Sequence, residues 1–133
     1  QKELKKLSIE LNYSPVSVAI YGDVNQLQQV FLNMILNAID ATADGGKIKI
    51  TTTGVDNYAQ IIFEDTGCGI VPEDLDKIFE PFFSTKSPGK GTGLGLSICY
   101  GIIEEHKGKI SVSSNGIGKG TAFTISLPIY EKT

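Results

Sequence analysis

Arginine and tryptophan are absent from the 133 residues, histidine and methionine occur once each, and there are only two cysteines. Without arginine the chain has no guanidinium to clamp a carboxylate or phosphate in two-pronged fashion, and no arginine finger. All twelve cations are lysine, so any phosphate must be met by backbone N–H groups and ammonium heads. Cys68 and Cys99 lack a CxxC or metal-ligand spacing, and one histidine cannot complete a zinc site with them. Such sparse cysteine points to a reducing, cytoplasmic compartment. Long apolar runs are missing too: the longest, from Val30 to Ile39, is interrupted by Asn33 and Asn37, far short of the ~20 residues a membrane span needs. No signal-peptide pattern opens the chain. A formal charge of −3 argues against nucleic acid as a partner, because phosphate backbones are met by basic faces.

What is plentiful is glycine, with 15 residues in a chain that is 41% hydrophobic and 20% charged. That composition is globular, and the length suits one domain with a buried core. The glycines fall at Gly67 and Gly69, at Gly89, Gly91, Gly93 and Gly95, and at Gly116, Gly118 and Gly120. Clusters of this kind mark backbone in unusual conformations or in close approach to something.

Val16 to Ile20 alternates and reads as a strand, and Asp23 reads as the N-cap of a helix over residues 24–43. Leu27, Val30, Phe31, Met34, Ile35 and Ala38 form its core stripe, and Gly45-Gly46 ends it. Strands are predicted over residues 47–53 and 58–64 with a turn at 54–57, and a short helical turn over 72–79. A structureless, mobile surface loop is expected over 80–93, a second helix over 94–105, and strands over 109–114 and 121–127. This order predicts an α+β fold, a two-layer sandwich whose mixed, mostly antiparallel sheet is covered on one face by helices.

Three segments carry candidate chemistry. Glu64-Asp65-Thr-Gly67-Cys-Gly69-Ile70 leaves a strand; it fits a plain Asx-type turn, or a loop lying on a flat ligand whose exocyclic amine Asp65 would accept. Gly89 to Ser97 runs into a helix with Lys86 and Lys90 nearby. It fits a flexible linker, or amides gathered at a helix N-terminus around a polyphosphate. Asn33 and Asn37 share one helical face within an apolar stripe. They fit helix-edge amides bonded to backbone, or neutral oxygen donors for Mg²⁺.

In this order the segments resemble the catalytic domain of two-component sensor histidine kinases, relatives of the gyrase, Hsp90 and MutL ATPases. Asn33-Met-Ile-Leu-Asn37-Ala is similar to the N box, and Asp65-Thr-Gly-Cys-Gly69-Ile to the adenine-binding box. Ile78-Phe79-Glu-Pro-Phe82-Phe83 matches the F box, Gly91-Thr92-Gly93-Leu94-Gly95-Leu96 the phosphate-lid box, and Gly118-Lys-Gly120-Thr121 the last glycine box. The Phe82-Phe-Ser-Thr-Lys86 stretch looks most like the nitrogen-regulation type.

The resemblance implies a Bergerat fold that binds ATP and Mg²⁺. Asp65 would hold the adenine amine, Gly67, Gly69 and Ile70 would shape the pocket, and Thr121 would support adenine through water. Asn37 would ligate Mg²⁺, with Asn33 completing that shell or touching phosphate. Gly91, Gly93 and Gly95 would give the lid its hinge and amides, and Phe79 and Phe82 would pack its base. Ala41, Lys86, Thr92, Leu94 and Leu96 complete the nucleotide-contacting set. Hydrolytic relatives carry Glu where this chain has Asn33, and an amide cannot act as general base; Asn33 and Asn37 would then serve phosphoryl transfer by positioning alone. Asp40 stands where many relatives carry a cation, which weakens the case for a phosphate contact there.

The only histidine, His106, lacks the sequence context of the family's phosphoacceptor and is expected to be structural. The acceptor would lie on a dimerisation and phosphoacceptor domain of the same kinase, with residues 1–12 as the linker to it and 13–130 as the catalytic domain. A response regulator is the implied downstream partner. The whole protein would be a homodimer, the isolated domain a monomer. Two other readings share the motifs: an anti-sigma-type protein-serine kinase, and a non-catalytic, ATP-gated binding module.

Overall fold

The computed structural model describes residues 5–14, 19–81, 83 and 95–130. The elements are β1 (Ser8–Asn12), α1 (Val24–Ala41), β2 (Lys47–Val55), β3 (Tyr58–Asp65), a 3₁₀ turn (Pro72–Asp74), α2 (Gly95–Glu105), β4 (Lys109–Ser113) and β5 (Thr121–Pro128). The five strands form one sheet in the order β1-β2-β3-β5-β4. Only β1 pairs in parallel, against β2; the other three pairings are antiparallel. Both helices cover the same sheet face. The predicted α+β sandwich is the fold observed.

Strand periodicity decides which side chains meet the helices. Phe63 lies opposite Phe123, Ile61 opposite Ile125 and Ala59 opposite Leu127; Ile110 and Val112 continue those rows on β4. Apart from Ala59, they join Leu27, Val30 and Met34 of α1 and Cys99, Ile102 and Ile103 of α2 in one apolar core. Asp65 and Thr121, opposite each other, have the same parity as Phe63 and Phe123. The core pattern therefore turns the Asp65 carboxyl toward the helical layer.

Several boundaries differ from expectation. Ser8–Asn12, placed above in the linker, is the parallel edge strand β1. Ile20 makes an isolated bridge to Ile129 rather than belonging to a strand, and residues 15–18 lie outside the described residues. α1 stops at Ala41 because Thr42 turns extended, with φ −100° and ψ 129°. The Thr42 hydroxyl donates to Ala38 O at 2.6 Å, and Lys5 Nζ donates to Ile39 O and Thr42 O at 3.1 Å each. The end of α1 is thus made by a threonine and by a lysine borrowed from before β1, ahead of Gly45. β2 runs through Gly54 to Val55, leaving the turn to Asp56 and Asn57, with Asp56 at φ 56°. No helix among the described residues is long and apolar enough to cross a membrane.

Candidate functional site

One flank of α1 carries Asn33, Asn37 and Ala41, each a helical turn after the last, so the three line up along the axis. Its first member is tied to α2: Asn33 Nδ2 donates to Cys99 Sγ at 3.6 Å, and the thiol approaches Val30 O at 4.0 Å. Burial pushes the Cys99 thiol up, so it stays protonated. The last member, Ala41, touches the loop after β3: its carbonyl accepts from Cys68 N at 3.0 Å, and a Cβ on Gly67 would collide with it. Asn37 lies between these contacts, half-buried, on a flank that runs from α2 to the Gly67 loop.

At the end of β3, Asp65 Oδ1 accepts from Gly67 N at 2.8 Å. Burial raises the Asp65 carboxyl above the usual carboxylate range, opposed by the backbone N–H groups of Gly67 and Thr121. A carboxylate offers about four acceptor positions, so these two donors leave capacity for a ligand amine. The glycines beside it have another reason to be glycine than contact with a flat ligand. Gly67 is pressed against Ala41 O, and Gly69, at φ +74°, against Gly116 O. Gly120, at φ +77°, is pressed against Asp65 O. Their missing side chains let segments of the protein itself meet.

The loop after β3 is stitched to the β4–β5 turn. Gly118 N donates to Cys68 O at 2.7 Å, and Gly120 N to Gly67 O at 3.2 Å. Ser114 adds a side-chain bond, its Oγ accepting from Ile70 N at 2.9 Å. Sequence reading missed Ser114. Its only signal was a serine at the end of a strand before a glycine-rich turn, a common place for a hydroxyl to bond backbone.

The structure therefore brings Ala41, Asp65, Gly67, Gly69, Ile70 and Thr121 together, with Asn33 and Asn37 along the adjoining helix flank. Phe79 packs between the layers, its ring 5.5 Å from Tyr100 of α2 and 6.3 Å from Phe123 of β5. Gly95 opens α2, and Leu96 packs against the core. Phe82, Lys86, Gly91, Thr92, Gly93 and Leu94 lie outside the described residues.

His106 stands apart from this site. Its Nδ1 lies 2.7 Å from Ile102 O, and Nε2 accepts from Asp23 N at 3.0 Å. A carbonyl can only accept and an amide can only donate, which assigns the proton to Nδ1. Both ring nitrogens are engaged by main chain.

Among the described residues, no group of three or more His, Cys, Asp or Glu side chains could hold a metal ion. At this flank a hard cation would draw on the Asn37 amide oxygen and on ligand phosphates. That sparse donor set fits Mg²⁺, which keeps waters and substrate phosphates in its shell.

The model for histidine kinase-, DNA gyrase B- and HSP90-like ATPases matches residues 22–131. Sporulation kinase A of Bacillus subtilis (strain 168) is 44% identical over 128 residues, which are 96% of this chain and 21% of that protein. Full-length ShkA, solved in complex with AMPPNP, superposes with a TM-score of 0.82 at 28% identity, over 96% of this chain and 26% of that one. Histidine kinase ThkA, solved in complex with response regulator protein TrrA, superposes with a TM-score of 0.78 at 33% identity, over 93% of this chain and 34% of that one. The chain thus spans about a fifth of the curated relative's length, and the family match takes in the α1 flank, the Asp65 loop and the β4–β5 turn together. It belongs to the histidine kinase-, DNA gyrase B- and HSP90-like ATPase family.

Proposed function

We propose that the chain is the ATP-binding catalytic domain of a sensor histidine kinase. It binds Mg·ATP and presents the γ-phosphoryl group to an imidazole on a separate dimerisation and phosphoacceptor domain. The observation that carries this reading is the half-buried Asp65 carboxyl at the end of β3, facing the helical layer beside Gly67. An ionised acceptor there suits the exocyclic amine of adenine, and Thr121 lies across from it. The AMPPNP bound by the similar ShkA supports the same ligand class.

Asn37 would hold Mg²⁺, with Asn33 beside it. The ion, when bound, supplies charge neutralisation on the phosphate oxygens. Neither amide can take a proton from an attacking water, so these residues position a phosphoryl group rather than activate its hydrolysis. Phosphoryl transfer needs little more from this chain than placement and charge stabilisation. The acceptor comes from elsewhere in the kinase, since His106 is held at both nitrogens by Ile102 and Asp23. The residues before β1 would lead toward that acceptor domain in a homodimeric, cytoplasmic kinase part. The ThkA–TrrA complex supports a response regulator as the next recipient.

The test is transfer of label from γ-labelled ATP. The full-length protein is expected to gain an acid-labile, base-stable label on a histidine, and the 133-residue chain alone to gain none. Titration of ATP into that chain is expected to show Mg²⁺-dependent binding. Label on His106, or no binding of ATP, overturns the reading.

A further inference from the structure

Ser114 is a half-buried hydroxyl that no part of the proposed chemistry uses, yet it spends its full bonding capacity at one place. Its Oγ donates to Gly120 O at 2.7 Å and accepts from Ile70 N at 2.9 Å and Gly116 N at 3.3 Å. A second carbonyl, Gly116 O, lies farther away at 3.5 Å, which leaves the proton on the Gly120 side. One donor and two acceptor positions are all that a hydroxyl has, so Ser114 has nothing left for a ligand. Whatever it does, it does through the residues it holds.

Those residues are the two ends of the nucleotide pocket proposed above. Ile70 closes the loop that begins at Asp65, and Gly120 immediately precedes Thr121. Two other bonds cross the same seam, Gly118 N to Cys68 O and Gly120 N to Gly67 O, both main chain to main chain. We propose that Ser114 is a positioning residue for nucleotide binding. Its hydroxyl fixes the Gly120–Thr121 turn against the Asp65–Ile70 loop, and so the placement of Asp65 and Thr121 relative to the base they would contact. This role rests on the ATP reading of the preceding subsection. Removing the hydroxyl leaves the Ile70 amide and the Gly120 carbonyl without this partner, and the seam opens in the nucleotide-free chain as well.

The experiment pairs Ser114→Ala with Ser114→Thr, which keeps the hydroxyl, and with Ser111→Ala on the exposed face of β4 as a control. In the nucleotide-free 133-residue chain, the Ile70 amide is expected to exchange hydrogen faster in S114A and at the native rate in S111A. Titration with ADP is expected to show Kd raised about tenfold in S114A, the scale of one or two lost hydrogen bonds, and restored in S114T. In the full-length protein, KM for ATP should rise by a similar factor, with kcat at saturating ATP unchanged. Native Ile70 exchange in S114A, or faster exchange with unchanged Kd, overturns the role. So does a fall in kcat together with thermal stability that S114T fails to restore, which marks a merely structural serine. Failure of the unaltered chain to bind ADP is a different result, and it overturns the ATP reading itself.

Discussion

Asp65 is the residue on which the proposed function and stability would pull in opposite directions. Its carboxyl is raised by burial, so the native state keeps the proton to a higher pH than the unfolded chain, where the group titrates near ~3.9. Stability of the nucleotide-free protein should then fall as pH climbs from that value through the raised native one, and level off above it. In the proposed adenine site nucleotide affinity should run the other way and be lost as pH drops through the raised value, because the amine would need the ionised acceptor. Asp65→Asn keeps an oxygen for Gly67 N but can present a donor to the amine. Calorimetry should show ATP affinity down by on the order of a hundredfold or more, and thermal unfolding at neutral pH should show no loss of stability. The cysteines separate in the same way. Cys68 is exposed and Cys99 buried, so a thiol reagent on the native chain should label Cys68 alone, with Cys99 reacting only on unfolding. Asp65 was legible in the sequence because an acid before a Gly-x-Gly turn is a local signal. Ser114 was not, because its partner Ile70 is 44 residues away.

α1 carries the proposed metal-binding flank, and its two ends are held by different means. At the N-terminus Asp23 Oδ1 accepts from Gln26 N at 3.0 Å, the cap that the sequence predicts. Behind that cap stands His106, from the end of α2, accepting the Asp23 N–H. Asp23→Ala should cost about 1 kcal/mol, as N-cap losses do. His106→Ala removes two hydrogen bonds as well as the ring packed against Gly22, and should cost about 2 kcal/mol. Denaturant unfolding of both single variants and the double variant checks these values. A double-variant loss smaller than the sum would show the two groups acting as one cap. The helix was readable from its apolar period and its cap. Its C-terminal stop was not, because Lys5 reaches the last carbonyls from 34 and 37 residues earlier in the chain.

At the scale of the whole molecule, the antiparallel hairpins and both helices follow from local pattern, whereas the parallel edge does not. β1 pairs Ser8 with Lys47 and Asn12 with Thr51, across a stretch that includes all of α1. Five alternating residues after a lysine-rich opening look like the approach to a domain, and only the register with β2 makes them part of it. A chain beginning at residue 13 would lose β1 together with Lys5. It would also leave β2 as a bare edge, a surface prone to pairing with other chains. Such a truncation should unfold about 2–4 kcal/mol more easily and aggregate at concentrations where the full chain stays monodisperse. Light scattering and denaturant unfolding decide the point.

The stitching between the Asp65 loop and the β4–β5 turn also sets what natural variation the site can absorb. Cys68 and Gly118 meet through a main-chain carbonyl and amide, so the Cys68 side chain takes no part in that bond. Gly67, Gly69 and Gly120 are different, since a single methyl at any of them would run into a carbonyl of another segment. Among descendants of one ancestral gene, the letter at 68 should drift freely while those three glycines stand still. Exchanges at Ser114 should be confined to residues that keep a hydroxyl. The same pattern gives a rule for grafting this loop into another scaffold: the spacing of its glycines must be copied, and the letters between them need not be.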